Sequence, residues 1–191
     1  MKFYNKVIIS LFILLSYIIS AFSQEFSRSS LTYYIGKGAL NVGEAGGKGF
    51  FFGTGYQLDI WKDRLRINPT VTFGNYDAQD YLDAPDQSFY SINIEAIIFY
   101  DLIKIKAISL TIGAGGVLNN AKGLTGTGGY IYPVRNSYYF SQWNYGAYVG
   151  CGIRIVPKKS RFFVEIMPLN LHILSKEGAE EYSRIGFGVK L

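Results

Sequence analysis

The chain is built from alternating positions. Near its end, apolar Ile185, Phe187, Val189 and Leu191 are interleaved with Arg184, Gly186, Gly188 and Lys190. A period of two marks a strand with one apolar and one polar face, because successive side chains point to opposite sides. Seven earlier segments follow the same rule: Ser29–Ala39, Gly49–Trp61, Arg64–Tyr76, Ser88–Tyr100, Lys106–Leu118, Trp143–Val156 and Arg161–Leu174. In the second, Phe50, Phe52, Thr54, Tyr56, Leu58 and Ile60 alternate with Phe51, Gly53, Gly55, Gln57 and Asp59. In the fourth, Ile92, Ile94, Ala96 and Ile98 alternate with Ser91, Asn93 and Glu95. Pro69 predicts a bulge or an interrupted ladder in the third segment, because proline has no N–H to donate. The seventh segment changes phase near Pro168, where Leu169, Leu171 and Ile173 take over the apolar face.

Each segment is about the length a tilted strand needs to cross a bilayer, roughly 9–11 residues. The connections are expected to alternate: short at Lys62-Asp63, Leu102–Ile105 and Pro157–Ser160, long at Leu40–Lys48, Asp77–Gln87, Asn119–Gln142 and Ser175–Glu181. Tight turns on one side and long loops on the other are the rhythm of a bacterial membrane barrel. The predicted fold is therefore all-β: an eight-stranded antiparallel up-and-down transmembrane barrel, with the last strand pairing back to the first. Lysines gather at the tight turns (Lys62, Lys104, Lys106, Lys158, Lys159), which places those turns and both termini in the periplasm.

The inward face decides what such a barrel can do. Antiparallel pairing around the tight turns sets Asp59 opposite Arg66 and Arg154 opposite Glu165, and brings Lys190 near Glu165. Glu95 and Arg184 join the same polar face. An eight-stranded barrel has room inside only for its own side chains, and a charge confined there must be paired and hydrogen-bonded. The seven residues Asp59, Arg66, Glu95, Arg154, Glu165, Arg184 and Lys190 are thus expected to form a lumen charge network that leaves no open pore. Inward glycines, at 53, 55, 113, 115, 150, 152, 186 and 188, leave room for the long side chains.

The N-terminus adds a compartment. Lys2 and Lys6 precede the apolar run Val7–Ile19, and Ala21-Phe22-Ser23 ends the segment before Gln24. This is the layout of a cleaved signal peptide, so residues 1–23 are read as leader and residues 24–191 as one barrel domain. Removing Lys2 and Lys6 takes the net charge from +5 to +3, too mild to argue for nucleic acid. One cysteine, Cys151, and one histidine, His172, exclude an internal disulfide and any Cys/His metal cluster. The 16 Tyr and 14 Phe suit aromatic girdles at the membrane interfaces.

With these features in place, the chain resembles the small eight-stranded outer-membrane β-barrel family, the OmpA/OmpX-like group, over Gln24–Leu191. The leader, the basic pI of about 9.1 and the Tyr-rich strands are similar to those of its Bacteroidota members, including PorT-like proteins of gliding and secreting bacteria. The resemblance implies a cell outer-membrane location, lipid and lipopolysaccharide as surroundings, and a monomeric barrel without cofactor. Many members end in Phe, where this chain has Leu191. The resemblance carries no activity.

The expected function is therefore non-enzymatic: a structural or interaction role, accessory to an envelope or secretion assembly through protein partners. Two alternatives stand beside it. A lipid A-modifying enzyme would centre on His172 with Ser175 and Glu177 nearby, although the His-x-Ser arrangement of such enzymes is replaced by His172-Ile-Leu-Ser175. A soluble lipocalin-like cup would place the same strands in the periplasm or medium. Two loops carry candidate contacts. Asp77, Asp80, Asp83 and Asp86 are spaced to hold a divalent cation or to form a solvated acidic loop. Tyr130, Tyr132, Tyr138 and Tyr139 form either a partner-contact surface or part of the interfacial aromatic belt.

Overall fold

The computed structural model describes residues 29–43, 45–61, 64–78, 88–129, 132–157 and 160–191. The predicted leader, residues 1–23, lies outside them. Eight strands follow one another: β1 (Ser29–Val42), β2 (Ala45–Trp61), β3 (Leu65–Ala78), β4 (Ser88–Ile105), β5 (Ile108–Gly129), β6 (Tyr132–Ile155), β7 (Phe162–Leu174) and β8 (Ala179–Lys190). Each pairs antiparallel with the next, and β8 closes on β1, with Ile35 opposite Ile185 and Ser30 opposite Lys190. The architecture is the expected closed, up-and-down barrel.

Alternation sorts the side chains into two surfaces of opposite character. Outward, the barrel exposes a continuous apolar band, including Tyr33, Ile35, Phe52, Ile94, Ile98, Ile112, Val149, Ile173, Ile185 and Phe187. Inward lie Gln57, Arg66, Asn68, Asn93, Glu95, Asp101, Arg154, Glu165, His172, Glu180 and Arg184, all buried. A water-soluble barrel has the reverse arrangement, with apolar residues inside. Burying eleven such polar groups while exposing the isoleucines is stable only where the outer solvent is hydrocarbon. Cys151 sits on the outward face and is half-buried.

The connections differ from the expected rhythm. β1 runs to Val42 and β2 resumes at Ala45, so Leu40–Lys48 is strand and not a long loop. Gly43 makes the tight reversal at φ 58°. The stretch 175–181 shrinks to Ser175–Gly178, with Lys176 and Glu177 both in the left-handed region at φ 58° and 60°. Two such residues in succession make a type I′-like hairpin turn, whose twist matches that of the flanking strands. Leu102–Ile105 also belongs to a strand, and the turn there is Lys106-Ala107. Most of Asn119–Gln142 is a continuation of β5 and β6, paired as far as Gly129 opposite Tyr132.

Pro69 interrupts one ladder without shifting it. Gly55 pairs with Thr70 and Leu58 with Ile67 in one register, but the two positions between them make no pair on β2, while Pro69 pairs with Ala96 on β4. The phase change in β7 is a bulge between Met167 and Asn170: Phe163, Glu165 and Met167 face inward before it, and Asn170 and His172 after it, with Leu169 outward.

Adjacent glycines on β5 test the division of faces. A Cβ on inward Gly115 would lie 2.2 Å from the Ala96 carbonyl oxygen and 2.8 Å from Ile97 Cα. On outward Gly116 it would find nothing nearer than the Gly146 oxygen at 4.0 Å. Gly115→Ala should therefore lower the stability of the detergent-refolded barrel by about 1–3 kcal/mol, read from its urea midpoint. Gly116→Ala should leave the midpoint in place, and equal effects would contradict the assignment of faces.

Candidate functional site

Among the described residues, ionisable groups converge in the interior. It is built as stacked layers, from the end holding the chain termini to the end holding the β5–β6 hairpin. In the first layer Arg66 donates through Nη1 to Asp101 Oδ1 at 2.6 Å and through Nη2 to Thr111 Oγ1 at 3.4 Å. Thr111 donates to the same Asp101 oxygen at 2.7 Å. Beside this pair, Arg154 Nε lies 3.2 Å from Glu165 Oε1, and its Nη2 donates to Gln57 Oε1 at 2.9 Å. Gln57 closes the triangle by donating to Glu165 at 3.3 Å. The Arg154 guanidinium also lies 4.3 Å over the Phe163 ring.

The middle layer is aromatic around a single cation. The Arg184 guanidinium sits 4.4 Å over the Tyr34 ring and 5.8 Å from that of Phe99, and its Nη2 donates to the Tyr148 hydroxyl at 3.5 Å. Tyr34 accepts from Asn68 Nδ2 at 2.6 Å, and Tyr148 donates to Asn170 Oδ1 at 2.6 Å. Phe51, Ile97, Phe99, Tyr148, Met167 and Tyr182 pack around these groups. A guanidinium over aromatic faces keeps an electrostatic partner where water is excluded.

The third layer centres on Glu180. Its carboxylate accepts from the Tyr76 hydroxyl, from Asn93 Nδ2 at 3.0 Å, and pairs with His172 Nδ1 at 2.7 Å. The Tyr182 hydroxyl is 3.0 Å from the other ring nitrogen of His172. Glu95, which accepts from Thr72, lies 3.7 Å from His172 and 3.7 Å from Arg184, linking this layer to the one below. Asn119 joins Ser91 and Asn93 at 2.6 Å each. Above the polar layers an apolar plug of Leu40, Val42, Ala45, Phe89, Val117, Ala121 and Leu174 fills the hairpin end, with Phe140 of β6 against Phe89.

The structure therefore brings Arg154 and Glu165 together and redistributes the rest. Asp59 stands opposite Arg66 in the β2–β3 register, yet Arg66 turns to Asp101. Asp59 is 8% exposed, and its Oδ1 has no hydrogen-bond partner among the described residues. Arg66 prefers Asp101 because Thr111 orients that carboxylate from the neighbouring strand. Lys190 is not beside Glu165: Glu165 pairs with Gly186, and Lys190 pairs with Ser30 and donates its backbone N–H to Arg161. The shift of register comes from the tight turn at Lys176-Glu177 together with the bulge after Met167.

Sequence reasoning missed Asp101 and Glu180, the principal acids of two layers. Both continue the polar phase of their strands, Asp101 after Glu95, Ile97 and Phe99, and Glu180 before Tyr182 and Arg184. Extending those strands by one pair of residues would have found them. The loop candidates fare differently. Asp77 is exposed on β3, opposite Lys48, and Asp80, Asp83 and Asp86 lie outside the described residues. Tyr139 is 64% exposed on the outward face and Tyr138 half-buried, while Tyr130 lies outside the described residues and Tyr132 is placed only as backbone of β6. Among the described residues no group of His, Cys, Asp and Glu could hold a metal ion.

Among the described residues, the ionisable groups of this interior are buried. His172 is fully buried with both ring nitrogens engaged. Ser175 is turned away from it, accepting the Tyr145 N–H at 3.2 Å, and Glu177 lies in the turn beyond. The hydroxyl that meets His172 is that of buried Tyr182, and the His172–Ser175 contact expected of a lipid A-modifying site is not formed.

No family model matches the sequence, and no curated protein matches it. Solved structures do. Neisserial surface protein A aligns with a TM-score of 0.56 at 16% identity, covering 86% of this chain and 97% of its own. Ail, the attachment invasion locus protein of Yersinia pestis, aligns at 0.53 and 14% identity, covering 85% and 97%; its complex with the heparin analogue sucrose octasulfate aligns equally well. The chain thus has the fold of the small eight-stranded outer-membrane β-barrels.

The Arg66–Asp101 pair yields a quantitative test. Arg66→Met or Asp101→Asn alone should destabilise the barrel by about 3–5 kcal/mol, because each leaves one buried charge without its partner. The double variant should recover most of the loss in the same urea titration. Additive losses would show that the two groups do not act as a pair.

Proposed function

We propose that the chain is an integral outer-membrane protein without enzymatic activity. It anchors in the membrane and presents the β5–β6 hairpin to a protein partner. The termini face the periplasm and the hairpin faces outward. The observation that carries this reading is an open strand edge. β6 pairs with β7 only up to Gly146 opposite Leu174, where Ser175 N–H also bonds to the Tyr145 carbonyl. From Tyr132 to Asn144, β6 pairs with β5 on one side and with no described strand on the other. Beyond Gly123, opposite Phe89, β5 is likewise free of β4.

Unpaired N–H and C=O groups along a strand are a template for another strand, and proteins that do not use such an edge cover or blunt it. The inner side of the same hairpin is committed: Phe140 packs on the apolar plug, and Gln142 hydrogen-bonds Asn144 at 2.7 Å. Contact is left to the edge and the outer face, where Tyr139 and Trp143 are exposed. The filled interior supports a protein that neither transports nor catalyses. The resemblance to Bacteroidota barrels of secreting bacteria supports a role accessory to an envelope or secretion assembly.

Photo-crosslinking residues at Tyr139 and Ser141 in intact cells test this reading. Both positions should give protein adducts, and the same residue at lipid-facing Ile98 should give none. A shortened hairpin, with residues 124–140 replaced by Asn-Gly, should still fold while losing the adduct from a crosslinker at Trp143. Adducts no more frequent at the hairpin than at Ile98 would contradict it.

A further inference from the structure

Two identical tripeptides meet across the first hairpin. β1 carries Gly36-Lys37-Gly38 and β2 carries Gly47-Lys48-Gly49. The register sets Lys37 opposite Phe50 and Lys48 opposite Ala39, so the lysines are diagonal neighbours on the outward face. Such neighbours are about 7–8 Å apart, within mutual reach of long side chains.

The glycines and the lysines have separate reasons. All four glycines face inward, where a Cβ would collide: at Gly36 with the Phe51 ring at 2.4 Å, at Gly38 with Tyr182 Cβ at 2.5 Å, at Gly47 with Phe89 at 2.8 Å and at Gly49 with the Asn75 oxygen at 1.9 Å. Packing of the interior accounts for them and says nothing of the residues between. Both lysines are exposed, and neither forms a hydrogen bond or ion pair with a described residue. Asp77 stands opposite Lys48, and Glu181 stands opposite Ala39 on the other flank, yet neither closes an ion pair with them.

Their height on the barrel is informative. Lys37 pairs directly with Ser183 on β8 and Phe50 on β2, its neighbours at nearly the same height. One outward step toward the termini the same three strands carry Ile185, Ile35 and Phe52, all apolar. Lys37 and Lys48 therefore stand where hydrocarbon gives way to headgroups. Directly beside and below them Phe50 is 72% exposed, and Phe52 stacks on Phe73 at 5.6 Å. Lysines at this depth extend their ammonium groups to the interface, where an anionic headgroup stabilises them.

We propose that Lys37 and Lys48 form a site for the phosphate of a phosphorylated glycolipid in the leaflet at the hairpin end, its acyl chains lying over Phe50, Phe52 and Phe73. This rests on the outer-membrane reading above and adds a defined lipid site to it. Two ammonium groups converging from adjacent strands suit a phosphate monoester, which carries more charge than the diester of a phospholipid. Asp77 and Glu181 on either side disfavour a second anion and limit the site to one phosphate.

The test uses the mature barrel in phosphatidylcholine nanodiscs doped with lipid A, with bound lipid counted by native mass spectrometry after release. The wild type should retain lipid A and release dephosphorylated lipid A. K37Q/K48Q should bind on the order of tenfold less, while K122Q, on a strand four removed from β1, should bind as the wild type does. Undiminished binding by K37Q/K48Q, an equal loss in K122Q, or equal retention of phosphatidylglycerol would each overturn the proposal. A chain that fails to insert into nanodiscs would instead overturn the membrane reading; a chain that inserts without preferring lipid A overturns only the site.

Discussion

Closure of β8 on β1 is the constraint from which the remaining structure follows. In hydrocarbon no water is available to satisfy a backbone N–H or C=O, so a sheet can cross only if it has no edge. Pairing Ile35 with Ile185 and its neighbours removes the edge. Closing a sheet of only eight strands then fixes a narrow lumen. Whatever faces that lumen is buried, whether or not it is apolar. The chain fills it with long polar side chains, and each has to find partners from other strands. Arg66 reaches Asp101 on β4 and Thr111 on β5; Arg154 reaches Glu165 on β7 and Gln57 on β2. The barrel is thus cross-braced through its centre as well as around its wall.

The bracing divides labour by layer. Near the termini, arginine–carboxylate pairs dominate. In the middle, one arginine is held by aromatic faces, and one layer higher a single carboxylate, Glu180, collects a tyrosine, an asparagine and a histidine. Only at the hairpin end does the lumen become apolar. Glycines are the complement of this filling: they stand where a neighbouring ring or carbonyl needs the space of a Cβ. The same economy appears in the first hairpin, where glycines serve the interior and the lysines between them serve the outside. Among the described residues, the far half of the β5–β6 hairpin escapes closure, and beyond the hydrocarbon an open edge is tolerable.

Much of this was legible in the sequence because side-chain direction in a strand depends only on parity. The faces of Phe50–Ile60 or Ser91–Ile98 follow from counting, and so does the phase change at Pro168. Turn positions were not legible in the same way. Lys176 and Glu177 carry no sequence signal for left-handed backbone; the pairing of Ile173 with Ala179 imposes it. That displaced turn moved the register of β8 and with it Lys190. The partner of Arg66 was hidden for a different reason: an arginine side chain spans more than one strand, so a nearest-neighbour register cannot choose between Asp59 and Asp101. Glu180 was missed because its strand begins earlier than its apolar pattern does. The fold was thus written in parity, whereas the site depended on side-chain reach and on turns.

The central proposal is that the buried side chains seal the lumen, so that the barrel acts as an anchor and not a channel. Electrical recording across a planar bilayer after reconstitution of the full barrel measures this directly. The account predicts a baseline current with no discrete steps at moderate voltage in either polarity. Stable, unitary conductance steps that scale with salt concentration would contradict it.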